Sequence, residues 1–423
     1  MHHSGKHIFH SLIKGTAISF SGSLLIGLVN YLTRRTLVLN LTVSDYGFIY
    51  AAISLLSLTL AVSDLGLGKA IVMQAAPLYV DRRQRALERL FSVSLLIKVG
   101  VGLCLALLFI LLTPWGLETF FHYSDGHLIF YIFLIWFFFA NIMGVATGFL
   151  EAAQRFLCRN LLFLLNYSII LLFIVFFIGK LGPLAASIAF ALGAALSFAA
   201  AMVVLRTRFK LTLNIKLFSG TYAKDLFHYT KWIAFSTAGL SVMPHIDTLM
   251  LTFFHGPSSS GEYNIVLPIV QIIQSTLIFS TIFIPIASQL WHGNRQHHLR
   301  SALTVATLAL SLLFTVGCMV LHLCGRSIIA LLFNETYAYL SPIVTLLSIG
   351  MSFFLLGQLH LDTLNIAQKT TTAAKIIAVG VLVNVVANLA LIPTHTLFGA
   401  AIATSVSYLT IFIMAVVATR RSL

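Results

Sequence analysis

The feature that most constrains this chain is a succession of apolar runs, each about 20 residues long, separated by short polar stretches. That length spans the ~30 Å of hydrocarbon in a bilayer as an α-helix. A chain that is 59% hydrophobic and 9% charged has no use for so many such runs in a soluble core. Backbone groups in lipid must be satisfied within the segment, so runs of this kind fold as helices. Twelve spans are expected: 12–33, 44–64, 90–112, 128–150, 160–178 and 183–205, then 230–254, 263–290, 301–323, 340–363, 373–393 and 397–418. The fold class is an all-α integral membrane protein. The first hydrophobic segment lacks a small-residue cleavage site and is expected to remain as a helix.

The net charge of +14 suggests a polyanionic partner until the cations are placed. With the N-terminus in the cytoplasm, all but five of the 26 Lys and Arg fall on inner segments. Arg34, Arg35, Lys180 and Arg326 lie outside, and Lys98 lies within a span. This is the positive-inside pattern, with both termini cytoplasmic, and it excludes a nucleic-acid footprint. Cys104, Cys158, Cys318 and Cys324 lie in or beside apolar spans without metal-ligand spacing, so they are expected to pack rather than to bridge. The N-terminal His2, His3, His7 and His10 read as an incidental cluster, and no metal site is expected. No Walker loop, Ser-His-Asp set or catalytic carboxylate pair is present.

The halves repeat. Arg35-Thr36-Leu37-Val38-Leu39 matches Asp247-Thr248-Leu249-Met250-Leu251, half a chain length further on. Each is followed by a tyrosine motif, Asp45-Tyr46-Gly47 in one half and Gly261-Glu262-Tyr263 in the other. Ala153-Gln154-Arg155 matches Ala367-Gln368-Lys369 at almost the same offset, and Ile188-Ala189 matches Ile402-Ala403 in that register too. An even number of crossings per half makes these two six-helix parallel repeats. The division expected is a six-helix bundle over 1–205, a basic cytoplasmic connector over 206–229, and a second bundle over 230–423. In the inner loop after span 2, Asp81 and Arg85 have i,i+4 spacing, which predicts a short amphipathic helix along the membrane face.

A few polar residues stand at membrane depth. Pro244, His245 and Asp247 interrupt the run Trp232–Tyr263, and a carboxylate there costs about 2.5–3.5 kcal/mol on insertion scales. Asp247, with His245 beside it, is therefore the candidate for coupling to H+ or Na+. His360 and Asp362 repeat the His-x-Asp spacing near the inner end of span 10, where solvation at the interface accounts for them. Lys98 lies ~12 Å into span 3, facing a polar path or snorkelling to the surface. Asn384 and Asn388 are four apart and share a helix face, as do Gln271, Gln274 and Ser275 along another.

These motifs resemble the multidrug/oligosaccharidyl-lipid/polysaccharide exporter superfamily, and within it the Wzx-type O-antigen flippases. The resemblance rests on Asp45-Tyr46-Gly47, Asp64-Leu65-Gly66-Leu67, the run Gly148–Arg155, Asp247–Leu251, Gly261-Glu262-Tyr263-Asn264 and the run Asn388–Thr404. It implies two bundles in a V with alternating access. It also implies movement of an undecaprenyl-diphosphate-linked glycan between leaflets of a bacterial inner membrane, coupled to an ion gradient and without an organic cofactor. On that reading Arg34, Arg35 and Lys98 are the cations for the diphosphate. Asn30, Tyr31, Gln271, Gln274, Asn384 and Asn388 are the candidates for sugar contacts. Membrane lipids, a polysaccharide polymerase and a chain-length regulator are the further partners expected. The alternatives are a drug–cation antiporter of the same superfamily and a multi-spanning polymerase.

Overall fold

A computed structural model describes residues 2–64, 66–217, 220, 222, 242–274, 278–293 and 295–423, without the side chains of 2–20, 272–274, 278–282 and 285. The described residues are helical almost throughout. They form α1 (His2–Asn40), α2 (Val43–Ser63), α3 (Leu67–Val80), α4 (Gln84–Thr119), α5 (His127–Ala152), α6 (Phe156–Leu181) and α7 (Pro183–Phe209). The second half contains α8 (242–255), α9 (Pro257–Gln274), α10 (Ile278–His292), α11 (Gln296–Leu332), α12 (Ser341–Ile366) and α13 (Thr370–Arg420). Eight of the described helices are long and apolar enough to cross a membrane. One of these, α13, folds back on itself at Thr396, where φ is 47° and ψ is −123°, and so supplies two arms. The chain is a multi-pass membrane protein.

Two compact units divide the chain: residues 1–42 with 52–242, and residues 43–51 with 243–423. The first turns of α2 thus belong with the second unit. Each unit has its own core. In the first, α3, α4, α5 and α7 pack around Phe91 and Phe149, whose rings meet edge to face at 5.5 Å. Gly148 of α5 lets Ile71 and the Gly68 backbone of α3 approach closely. In the second unit, Gly350 of α12 sits against Ser405, and Gly380 in the first arm of α13 sits against Ile411 in the second. Ser407 donates to the Gly380 carbonyl at 2.7 Å, and Ser405 to the Leu346 carbonyl at 3.0 Å. Lipid is as apolar as leucine, so helix contacts in a membrane depend on such close approach and on hydroxyl bonds.

The duplication is legible in the backbone. At Gln154, φ is 56°; at Gln368, its counterpart in the second half, it is 61°. The turns share one bonding pattern: Arg155 N–H donates to the Leu150 carbonyl at 2.8 Å, and Lys369 N–H to the Leu364 carbonyl at 2.9 Å. The break between α6 and α7 falls at Gly182 (φ 54°, ψ −138°), and its counterpart at the same offset is Thr396. Likewise Arg83 N–H donates to the Leu78 carbonyl in the first half, and Arg295 N–H to the Leu290 carbonyl in the second.

The loop after α2 differs from expectation. Residues 67–80 form α3, which the glycines around Leu67 disguise as loop, and the turn that ends it places Arg82 at φ 54°. Asp81 and Arg85 therefore lie on different sides of a chain reversal, and Asp81 pairs with Arg83 at 3.4 Å. Residues 84–89 open α4 rather than an amphipathic surface helix. The described start of the basic connector is tied down: Leu211 is buried, and Asn214 N–H donates to Ser92 Oγ at 3.0 Å. Gln84 donates to the carbonyls of Phe209 and Lys210. Of the span 263–290, the described residues fall in α9 and α10; 223–241 and 275–277 lie outside the described residues.

Candidate functional site

The polar residues of the second unit converge on Asp247. Its side chain is 2% exposed and projects from α8. Oδ2 accepts hydrogen bonds from the Tyr263 hydroxyl at 2.7 Å and from the Thr404 hydroxyl. Oδ1 accepts from Nδ2 of Asn388 at 2.7 Å and, more weakly, from Nδ2 of Asn384 at 3.4 Å. Four elements supply these groups: α8, α9 and the two arms of α13. The i,i+4 spacing of Asn384 and Asn388 puts both on the face of the first arm that looks at Asp247. The fold-back at Thr396 returns the chain so that Thr404 meets the same carboxylate. Asn264, next to Tyr263, bonds Thr248, next to Asp247, at 3.1 Å, which fixes the register of α9 on α8.

All four donors are neutral, and among the described residues no basic side chain pairs with Asp247. Such a carboxylate carries its charge only on neutral hydrogen bonds in a region of low dielectric, where an unpaired charge is costly. One further atom is informative. Asn388 is fully buried, and its Oδ1 has no hydrogen-bond partner among the described residues. The carboxylate is thus met by two hydroxyl and two amide N–H donors, with one orphaned amide oxygen beside it. That oxygen is an acceptor left without a donor, and a proton or a cation would satisfy it. His245, two residues before Asp247, is half-buried; the four donors to the carboxylate come from elsewhere.

The first unit holds a different arrangement. Lys98 of α4 is 3% exposed, and its ammonium donates to Asp64 at 2.8 Å and to Asn141 of α5 at 3.3 Å. Asn141 in turn donates to the Lys98 carbonyl at 2.7 Å, and Gly68 N–H donates to Asp64 at 3.2 Å. Lys98 therefore neither snorkels nor stands as an open cation: its charge is met by Asp64 at the end of α2. The sequence reading of Lys98 did not include this partner, because Asp64 lies in the preceding span and sits in a motif that reads as a loop.

The remaining candidates are dispersed. On α1, Arg34 is half-buried near Tyr167 of α6, and Arg35 is exposed near Tyr31. Asn30 and Tyr31 are half-buried on the same helix. Gln271 is exposed on α9, and the Gln274 side chain lies outside the described residues. Asn384 and Asn388, expected as sugar contacts, are bonded to Asp247. Tyr263 and Thr404 were missed as partners of Asp247. The only available signal was their presence in the Gly261-Glu262-Tyr263 motif and in the run ending at Thr404. Among the described residues no group of three or more His, Cys, Asp or Glu side chains could hold a metal.

The fold defines a class. The chain superimposes over 96% of its length on an inward-facing multidrug resistance MATE family transporter of the MOP superfamily. The TM-score is 0.80, with 12% identity and 97% of that chain covered. An outward-facing MATE family transporter gives 0.68 at 12% identity, covering 97% of this chain and 96% of that one. The MATE transporter VcmN of Vibrio cholerae gives 0.67 at 15% identity, covering 98% and 96%. The fold is that of the MATE transporters. Residues 12–291, well over half the chain, match the polysaccharide biosynthesis protein family, and the chain belongs to that family. An uncharacterized membrane protein of Methanocaldococcus jannaschii is 28% identical over 200 residues, 47% of this chain; the match spans 39% of that relative's length.

Proposed function

We propose that this protein flips a lipid-linked oligosaccharide, an undecaprenyl-diphosphate-linked repeat unit of O-antigen or a related surface polysaccharide. Transport runs from the cytoplasmic to the periplasmic leaflet of a bacterial inner membrane, with both termini in the cytoplasm. Membership of a polysaccharide biosynthesis family on a transporter fold supports the substrate class. The observation that carries the energetics is Asp247, a buried carboxylate held by four neutral donors beside an unsatisfied amide oxygen. A cation or a proton bound here offsets the remaining cost of the buried charge, so binding of H+ or Na+ is coupled to the packing of α8, α9 and both arms of α13.

In this reading Asp247 binds the coupling ion, Asn384, Asn388 and Thr404 orient it, and Tyr263 anchors the carboxylate from α9. Loss of the ion leaves an unpaired charge that favours rearrangement of the same helices. Arg34 and Arg35 on α1 serve the diphosphate, because guanidinium groups bind phosphate oxygens bidentately. Lys98 serves as the counter-charge of Asp64. Asn30, Tyr31 and Gln271 are the sugar-contact candidates left outside the Asp247 cluster. A polysaccharide polymerase and a chain-length regulator act downstream on the flipped product.

The test is complementation of surface-glycan export in a flippase-deficient strain with the Arg34→Gln, Arg35→Gln and Lys98→Gln variants. At least one arginine variant is expected to abolish export at normal protein level. Full export by both arginine variants, or drug efflux without glycan export by the unaltered protein, would overturn the assignment in favour of the antiporter.

A further inference from the structure

A second polar feature of the second unit uses none of the residues around Asp247. Near the start of α11 and the ends of α12 and α13 lies a cavity of about 180 Å³, whose walls include Arg300, Arg420, Thr307, His360, Phe412 and Val416. No Asp or Glu side chain lines it, and Leu423, the last residue of the sequence, does. Arg300 is in the second turn of α11 and Arg420 is the last residue of α13, so both stand at helix ends, the depth at which lipid headgroups lie. Neither guanidinium has an ion-pair partner among the described residues. Beneath them the walls are leucine, valine and phenylalanine.

His360 also lies in the wall. It is 5% exposed, and its Nε2 lies 3.2 Å from Thr307 Oγ1. The Thr307 hydroxyl donates its one proton to the Leu303 carbonyl at 2.7 Å, so in this contact it accepts, and the imidazole proton is on Nε2. Nδ1 of the neutral ring is then a bare acceptor, and it has no partner among the described residues. That atom is closed to solvent, so it does not face the cavity. The cavity thus combines two cations at the mouth with a neutral, largely apolar wall.

We infer that this cavity binds an anionic phospholipid such as phosphatidylglycerol. The phosphate pairs with Arg300 and Arg420, and the acyl chain runs along Val416 and Phe412. A soluble phosphate has the same anion chemistry but no use for the apolar wall. The inference does not rest on the transport reading.

Native mass spectrometry of the full chain in detergent, titrated with phosphatidylglycerol, phosphatidylcholine or inorganic phosphate, tests it. The unaltered protein is expected to retain phosphatidylglycerol selectively. The Arg300→Gln/Arg420→Gln double variant should bind it roughly tenfold or more weakly, because two charge-assisted contacts are gone. Val416→Trp, which fills the cavity and keeps both charges, should also lose the adduct, and it guards against a misfolded double variant. Equal binding of phosphatidylcholine, displacement of the lipid by inorganic phosphate, or full retention by both variants would overturn the inference.

Discussion

Asp247 and Lys98 are both charged side chains at membrane depth, yet their surroundings differ in kind. Lys98 has a counter-charge and an amide; Asp247 has only neutral donors. Removing one partner of a buried ion pair typically costs about 3–5 kcal/mol. Because the Asp64 side chain is about a third exposed, Asp64→Asn should cost roughly 1–3 kcal/mol, less than that range. Asp64→Asn combined with Lys98→Met should recover part of that loss, which thermal unfolding in detergent would show. Equal melting of single and double variants would mean that the pair is not coupled. Asn388→Leu removes a donor to Asp247 together with the orphaned oxygen, and it should weaken ion-dependent stabilisation by roughly tenfold in ion concentration. Melting temperature against Na+ concentration and pH measures this and separates the two coupling ions.

At the scale of elements, the two tyrosine motifs meet inside the second unit. The Tyr46 hydroxyl donates to the Asn264 carbonyl at 3.3 Å. A side chain at Gly47 would run into the Pro257 carbonyl, and one at Gly261 into the Val43 carbonyl. Gly47→Val should therefore cost at least about 1–3 kcal/mol of overpacking, read as reduced melting temperature and membrane yield. The break in α13 gives the opposite sign. Thr396 occupies a backbone region that β-branched residues avoid, at a cost of about 1–3 kcal/mol, and its counterpart in the first half is Gly182. Thr396→Gly should raise the melting temperature; a fall would show that the Thr396 side chain matters more than its backbone.

The helices themselves were legible because apolar length is read directly from sequence, and so was the register of the duplicated turns at Gln154 and Gln368. The helix α3 was not legible, because fourteen residues that open on Gly66 and Gly68 do not form a membrane-length run. In the candidate site, Asp247 announced itself as a carboxylate at depth, and Asn384 and Asn388 as one helix face. Their meeting did not, since the contacts span 137 and 141 residues of sequence and depend on the path of the helices between. Thr404 carried still less signal: a threonine in an apolar helix ordinarily bonds its own backbone.

The whole molecule joins a duplicated helical transporter fold, membership of a polysaccharide biosynthesis family and a buried carboxylate centre at Asp247. The basic-residue bias predicts that cysteines introduced after Leu205 and beside Arg421 react only with reagents that reach the cytoplasm; periplasmic labelling of either would reverse the topology. The central claim is that Asp247 couples an ion gradient to glycan movement. The most direct test is gradient-driven flipping of a polyprenyl-diphosphate-linked oligosaccharide in proteoliposomes containing the unaltered protein or Asp247→Asn, which keeps the shape and removes the charge. The account predicts that an imposed H+ or Na+ gradient accelerates flipping by the unaltered protein and leaves the variant unchanged, with both equally well inserted. Equal acceleration of the two proteins by the gradient would contradict it.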